Sequence, residues 1–193
     1  MANKIFYGIS NVYYSVITEA LNTAGQWTET YGTPKALKGA VGITLPASNE
    51  SIQFAADNDA NYFMQQVFTG YSGGSLELRY LDDDFRKDVF GNTLDDNDVL
   101  FENINDQPKF IALLFQFEGD ATKTRHCLYR VSVGIPDSTS TTKTTTIPEV
   151  TLSLPLTAGG RLSDGVVKSK ADETDNAAQY SAWFTAVYTP VNS

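Results

Sequence analysis

One cysteine, Cys127, and one histidine, His126, are all the chain offers of either residue type in 193 positions. A single thiol forms no intramolecular disulfide, which excludes a disulfide-stapled secreted module. One histidine beside one cysteine leaves too few ligands for a zinc centre. Basic residues are scarce as well: 14 Lys and Arg face 23 Asp and Glu, a formal net charge of −9. That balance opposes nucleic-acid binding by phosphate neutralisation, which needs a basic surface. No stretch approaches the ~18 apolar residues of a membrane span. The segment Met1–Gly8 lacks the apolar run of a signal peptide. The expectation is a soluble protein made in a cytoplasm, with no binding to membranes.

Apolar residues make up 41% of the chain, aromatics 12% and charged residues 19%, a bias opposite to that of disordered proteins. The length fits one compact domain over 1–193. Residues 1–11 read as an N-terminal arm. The low-complexity run Ser138-Thr-Ser-Thr-Thr-Lys-Thr-Thr-Thr146 gives a polar loop over 138–147.

Most of the remaining chain has the period of two that half-buried strands require. Val41, Ile43 and Leu45 alternate over 39–45. After a polar turn at Ala47–Glu50, Ile52 and Phe54 alternate inward against Ser51, Gln53 and Asp57, which predicts a hairpin over 38–57. Asn58-Asp59 marks another turn before an aromatic, β-branched strand over 62–69. Gly70–Gly74 reads as a flexible turn, followed by a strand with Leu76, Leu78 and Tyr80 on one face. Residues 108–118 are apolar on both faces: Ile111, Leu113, Phe115 and Phe117 on one, Phe110 and Leu114 on the other. Such a strand must be covered on both sides. Its expected partner is 125–133, with Cys127, Tyr129, Val131 and Val133 inward. Val150, Leu152, Leu154 and Leu156 form one further strand, ended by Gly159-Gly160. The fold class is mainly β: an antiparallel β-sandwich with one or two short flanking helices.

The negative charge is concentrated. Nine acids lie between Asp82 and Asp106, opposed only by Arg86 and Lys87, so this window carries seven of the nine net charges. Asp82, Asp83 and Asp84 open a short predicted helix over 83–90, where acids suit the helix dipole and cap free N–H groups. Phe85, Val89 and Phe90 share its inner face, and Gly91 stops it. Asp95, Asp96 and Asp98 follow in a loop. Solvated surface, a loose cation site and a charged contact with a partner all fit these six acids. At the C-terminus, Tyr180, Trp183, Phe184, Val187 and Tyr188 recur at helical spacing, which predicts a core helix over 176–188 ended by Pro190.

No catalytic constellation stands out. Gly70-Tyr-Ser72-Gly-Gly74 matches a nucleophile-elbow pattern, but the elbow needs a helix after the serine, and a strand follows here. The acids lack EF-hand spacing, since Lys87 stands where a glycine is needed and Asp98 leads straight into Val99-Leu-Phe. There is no P-loop and no dinucleotide-binding glycine motif. No cofactor is implied. Physics alone leads to a binding or assembly protein.

Several segments in order along the chain resemble the major tail proteins of long, non-contractile-tailed bacteriophages. They are Lys4–Thr18, Tyr31–Val41, Phe54–Asn58, Tyr71–Ser75, Asp83–Gly91, Lys109–Asp120, Thr124–Tyr129 and Trp183–Tyr188. The resemblance implies a β-sandwich subunit of the tail-tube type. Such subunits close into hexameric rings that stack into a virion tail tube, with tape-measure and tail-terminator proteins as assembly partners. DNA passes through the tube without sticking. Within this picture Lys38, Thr44, Ser51, Gln53 and Asp57 are the candidate polar face of an inner-sheet or inter-ring element. Asp82, Asp83, Asp84, Asp95, Asp96 and Asp98 are a candidate subunit contact. Tyr180, Trp183, Phe184 and Val187 form the core helix, and both helices plug the open face of the sandwich. The alternative is a carbohydrate- or receptor-binding β-sandwich of a tail tip or baseplate. A glycan binder displays exposed Trp or Tyr, whereas Trp27 and Trp183 both lie in patterned contexts.

Overall fold

The computed structural model describes residues 7–140, 142 and 150–190. Its strands are β1 (Ile9–Leu21), β2 (Trp27–Tyr31), β3 (Lys35–Ala36), β4 (Ala40–Thr44), β5 (Ala47–Ala56) and β6 (Asp59–Leu78). After α1 (Asp83–Phe85) and a π-helical turn over Arg86–Phe90 come β7 (Thr93–Leu94), β8 (Leu100–Phe101), β9 (Ile111–Phe117) and β10 (Arg125–Val133). The chain closes with β11 (Leu152–Gly159), β12 (Lys168–Ala171) and α2 (Ala177–Ala182). Ten strands form one antiparallel sheet in the order β2-β1-β9-β10-β11-β6-β4, with β12 on β10, β3 on β1 and β5 on β6. β7 and β8 make a separate ribbon. The sheet curls until Cα atoms of β4 come within 8 Å of β1, although no ladder joins the two.

β9 sits at the centre and is buried on both faces, as its uninterrupted apolar run requires. Ile111, Leu113 and Phe115 point into the main core, with Leu76 and Leu78 of β6, Leu154 and Leu156 of β11, and Phe85, Val89 and Phe90 of the α1 turn. Ala112 and Leu114 point the other way, into a second cluster with Cys127, Tyr129, Ala171 and Trp183. The two helical segments therefore cover opposite faces of the sheet rather than plugging one opening. Gly91, at φ 84°, ends the first of them in the left-handed conformation that glycine adopts without strain. Asp82 precedes α1 in an extended conformation and makes no side-chain cap, contrary to expectation.

β10 is two-faced, where one inward row was expected. Cys127 and Tyr129 enter the second cluster, whereas Leu128, Val131 and Val133 enter the main core. A register shift between Leu128 and Val131 inserts an extra residue and flips the alternation. The same device operates in β4. A bulge between Ala40 and Gly42 turns Val41 outward, while Ala40, Ile43 and Leu45 pack on the core.

The expected hairpin over 38–57 does not form. β4 and β5 lie end to end along one side of β6, β4 against Ser75–Leu78 and β5 against Asp59–Tyr71. The chain bends at Leu45-Pro46, and the polar residues Ala47–Glu50 are strand, not turn. The real hairpin turns at Asp57-Asn58, with φ values of 50° and 62°. Two successive positive φ angles are the mirror-type turn that matches strand twist. Gly70–Gly74 is also strand. Gly70 (φ 128°) lies so close to β11 that an added Cβ would sit 2.3 Å from the Ala158 carbonyl oxygen. The glycine allows close approach instead of a loop. β6 ends at Leu78, which leaves Tyr80 exposed and not on the inner face.

Of the expected N-terminal arm over 1–11, residues 9–11 belong to β1. The Tyr7 and Gly8 carbonyls accept hydrogen bonds from the N–H groups of Gly119 and Glu118, and β1 begins at Ile9. Residues 1–6 lie outside the described residues. So does most of the 138–147 run, of which 138–140 and 142 carry no regular structure. The C-terminal helix ends at Ala182, six residues before the expected 188. Its last carbonyl accepts both the N–H and the hydroxyl of Thr185, which tightens the chain out of the helix. Tyr180 in the helix and Trp183 just after it are buried, and Phe184 and Val187 beyond it pack against the second cluster. Arg125 clamps it, with its guanidinium 3.7 Å from the Tyr180 ring centre and a donated hydrogen bond to the Tyr180 carbonyl.

Candidate assembly site: an exposed aromatic ribbon

Beyond Gly70 the β5–β6 pair leaves the body of the sheet. β11 pairs only with Tyr71–Leu78 of β6, so 59–70 and β5 form a two-stranded ribbon. Among the described residues nothing pairs with its two outer edges. The register places Ile52, Phe54, Phe63 and Val67 on one face, with the Phe54 and Phe63 rings 5.8 Å apart. Asn49, Ser51, Gln53, Met64, Gln66 and Phe68 share the other. The alternation read from the sequence is real, but its inward half has no layer to face. Phe54 is 61% exposed, Tyr62 63% and Met64 64%.

This ribbon has few of the ordinary safeguards of a free strand edge: its register shifts lie near its two ends, between Ser48 and Asn49 and between Phe54 and Ala56. Between Ala47 and Gly70 there is no proline, lysine or arginine, and the only charges are Glu50, Asp57 and Asp59. Exposed edges of this length are normally blunted by charge, proline or a bulge, because they template pairing with other chains. An isolated two-stranded hairpin is also marginal in water. The exposed aromatic face is the kind of surface that marks an interaction site.

The structure divides the predicted polar face. Ser51 and Gln53 share a ribbon face, where Gln53 Nε2 lies 3.6 Å from Met64 Sδ. Asp57 is at the tip, in the turn. Thr44 sits at the end of β4 opposite Ser75, and Lys38 lies exposed beside the groove formed with Ile9–Tyr13. Those two belong to the body, not the ribbon.

The six acids also separate into two groups. Asp82, Asp83 and Asp84 are exposed at the start of α1, and Lys87 pairs with Asp84 at 2.6 Å and lowers its pKa. Asp95 folds its own loop by accepting the N–H groups of Val99 and Asn97, which lower its pKa. Asp96 and Asp98 lie exposed beside it. Among the described residues no three His, Cys, Asp or Glu side chains gather to hold a metal ion. Two acids outside those six tie separate elements together. Asp88 accepts the Tyr14 hydroxyl at 2.9 Å and pairs with Lys35. Glu102 pairs with Arg86 at 2.8 Å and ties β8 to the helical turn.

Ser72 is exposed in mid-strand, with no helix after it. His126 is buried against Phe115 and Phe117, with both ring centroids 5.3 Å away and 5.4 Å from each other. Neither ring nitrogen has a hydrogen-bond partner among the described residues. Burial and the Lys168 ammonium push its pKa down to about 4, against the opposing pull of Asp120. Cys127 is buried beside it in sequence but on the other face, and burial raises its thiol pKa. Asp120 behaves differently again. Burial acts to raise its pKa, but hydrogen bonds from Thr124 and Thr122 outweigh that and hold it at about 2.

The sequence missed a second exposed element. Trp27, expected in a patterned context, is 54% exposed at the start of β2. Among the described residues no helix is long and apolar enough to cross a membrane. No model of a known protein family matches the chain, and a search of curated proteins finds no match.

Proposed function

We propose that the chain is a tube-forming structural subunit of the phage tail-tube type, a β-sandwich that closes into hexameric rings with copies of itself. The observation that carries this reading is the ribbon: two free edges, an aromatic face and no lysine or arginine. A neighbouring copy that pairs with these edges removes both liabilities, because closure is what abolishes strand edges. In this arrangement Ile52, Phe54, Phe63 and Val67 pack against the neighbours, and Ser51, Gln53 and Gln66 face the bore. A bore wall built from this face carries no lysine or arginine and so offers DNA no phosphate ligand. The resemblance along the chain points the same way. Tape-measure and terminator proteins are the expected partners, and the virion tail is the expected location.

Negative-stain microscopy and sedimentation of concentrated protein test the reading. Rings or tubes are expected from the native chain. An Ile52→Glu, Phe54→Glu variant is expected to stay monomeric with an unchanged fold, since both positions are exposed in the single chain. A native chain that stays monomeric when seeded with tail initiator complexes refutes the proposal.

A further inference from the structure

We propose that a cleft beside Trp27 binds a neutral saccharide. This inference stands apart from the tube reading, because it uses β2 and the β11–β12 connection rather than the ribbon. The cleft has a volume of about 470 Å³ and is lined by Gly25, Gln26, Trp27, Thr28, Leu162 and Ser163. That size suits a small ligand.

Its walls are held in place. On one side Asn22 Oδ1 accepts the N–H groups of Ala24 and Gln26, each at 2.9 Å, which fixes the β1–β2 turn. On the other, the loop carrying Leu162 and Ser163 is closed by Gly165 N–H to the Arg161 carbonyl and by Arg161 to Asp164 at 3.0 Å. A buried ion cluster joins the two walls from beneath. The Glu29 side chain, two residues along β2 from Trp27, is 1% exposed and lies 3.9 Å from Arg161 and 3.5 Å from Arg130. Tyr31 donates to Glu29 as well. Buried ion pairs contribute little net stability, but they fix geometry. The Glu29–Arg161 pair is the contact that spans the two walls, and it favours one separation between them.

The lining selects the ligand class. None of the six residues is charged, so the lining offers an ion no salt-bridge partner. Trp27 presents a flat apolar face to solvent, and Leu162 extends it. Gln26 and Ser163 line the cleft with an amide, whose oxygen accepts from Asn22 Nδ2 at 3.5 Å, and a hydroxyl, and the Thr28 hydroxyl donates to the Ala20 carbonyl and keeps its lone pairs. A neutral ligand with an apolar face and many hydroxyls is a sugar ring. A pyranose stacks its C–H face on indole while its hydroxyls meet the amide and hydroxyl groups.

The two tryptophans give a built-in readout. Trp183 is 2% exposed and stacked on Tyr188, so a soluble sugar reaches only Trp27. The full chain is titrated with glucose, galactose, N-acetylglucosamine, rhamnose and maltose, and screened on an array of neutral and sialylated glycans, with tryptophan emission followed. At least one neutral glycan is expected to shift emission saturably. Trp27→Ala is expected to weaken its binding at least about tenfold and remove the emission change, while Trp27→Tyr keeps binding within about tenfold. The proposal is overturned if no neutral glycan binds the native chain more tightly than the Trp27→Ala variant, or if only charged glycans bind. It is equally overturned if Trp27→Ala changes the sedimentation coefficient with no glycan signal, which makes the cleft a contact between copies.

Discussion

His126 makes the stability of this fold depend on pH in a window where little else titrates. It is the sole histidine of the chain. Its ring is buried against two phenylalanines with neither nitrogen partnered among the described residues; burial disfavours the charged ring, and Lys168 and Lys170 on β12 add to this against the pull of Asp120. The folded pKa is about 4, against 6.5 in an exposed chain. The neutral ring is thus the form the fold prefers. Its contribution is complete above pH 6.5, is lost as pH falls toward 4, and changes no further below. The full difference corresponds to about 3 kcal/mol, of which about 2 kcal/mol is lost between pH 7 and pH 5. Ordinary carboxylates titrate mainly below that interval. The measurement is urea unfolding at pH 7, 6 and 5 at constant ionic strength, in an Ile52→Glu background so that assembly adds no stability. His126→Phe keeps a ring against Phe115 and Phe117 and removes the titration. It is expected to flatten the dependence and to be no less stable than the parent at pH 7. A parent that loses less than about 0.5 kcal/mol over the interval, or a variant with the same slope, refutes the reasoning.

Trp183→Ala empties the centre of the second cluster and is expected to cost about 3–5 kcal/mol in chemical denaturation. A near-native melting temperature removes α2 from the core. Gly70→Ala drives a Cβ against the Ala158 carbonyl at a φ that L residues avoid, and is expected to cost at least about 2 kcal/mol. A melt within about 1 °C of the parent contradicts the close approach. The exposed acids Asp82, Asp83, Asp95 and Asp96 are expected to make ring assembly sensitive to ionic strength. Assembly yields that are equal in 50 mM and 500 mM NaCl identify these acids as ordinary solvated surface.

The strands that alternate against one core were legible: β11 through Leu154 and Leu156, β9 through its two apolar rows, and the π-turn segment through Phe85, Val89 and Phe90. What escaped was set by partners or by irregularity. β1 carries Asn11 at φ 50° and a register shift between Ser10 and Tyr13, so its alternation breaks midway. β12 reads Lys-Ser-Lys-Ala and is a strand only because β10 offers an edge. The bulges in β4 and β10 reassign whole rows of side chains by one residue, which no periodicity count anticipates. The ribbon showed its aromatic content in the sequence, but not that its inward face was uncovered. Burial is a property of what lies across the gap. Trp27 escaped for the same reason: Trp-Thr-Glu-Thr-Tyr alternates like a buried strand, yet only Glu29 and Tyr31 have the body of the protein beneath them.

β6 runs unbroken for 20 residues through two different environments. From Tyr71 on it pairs with β11, and over Ser75–Leu78 it is flanked by β4 as well, with the side chains Leu76 and Leu78 fully buried. Before Gly70 it has one neighbour and solvent on both faces. Local opening then follows the surroundings and not the strand, so hydrogen exchange steps sharply at Gly70, with amides of one continuous strand differing by orders of magnitude in lifetime. In the single chain the ribbon opens without the core. Once its edges are paired by neighbouring copies, the same amides acquire the slow exchange of the body. Under the proposed tube reading the strand is a gauge of assembly, and the single subunit's folding cooperativity is separate from that of the proposed ring.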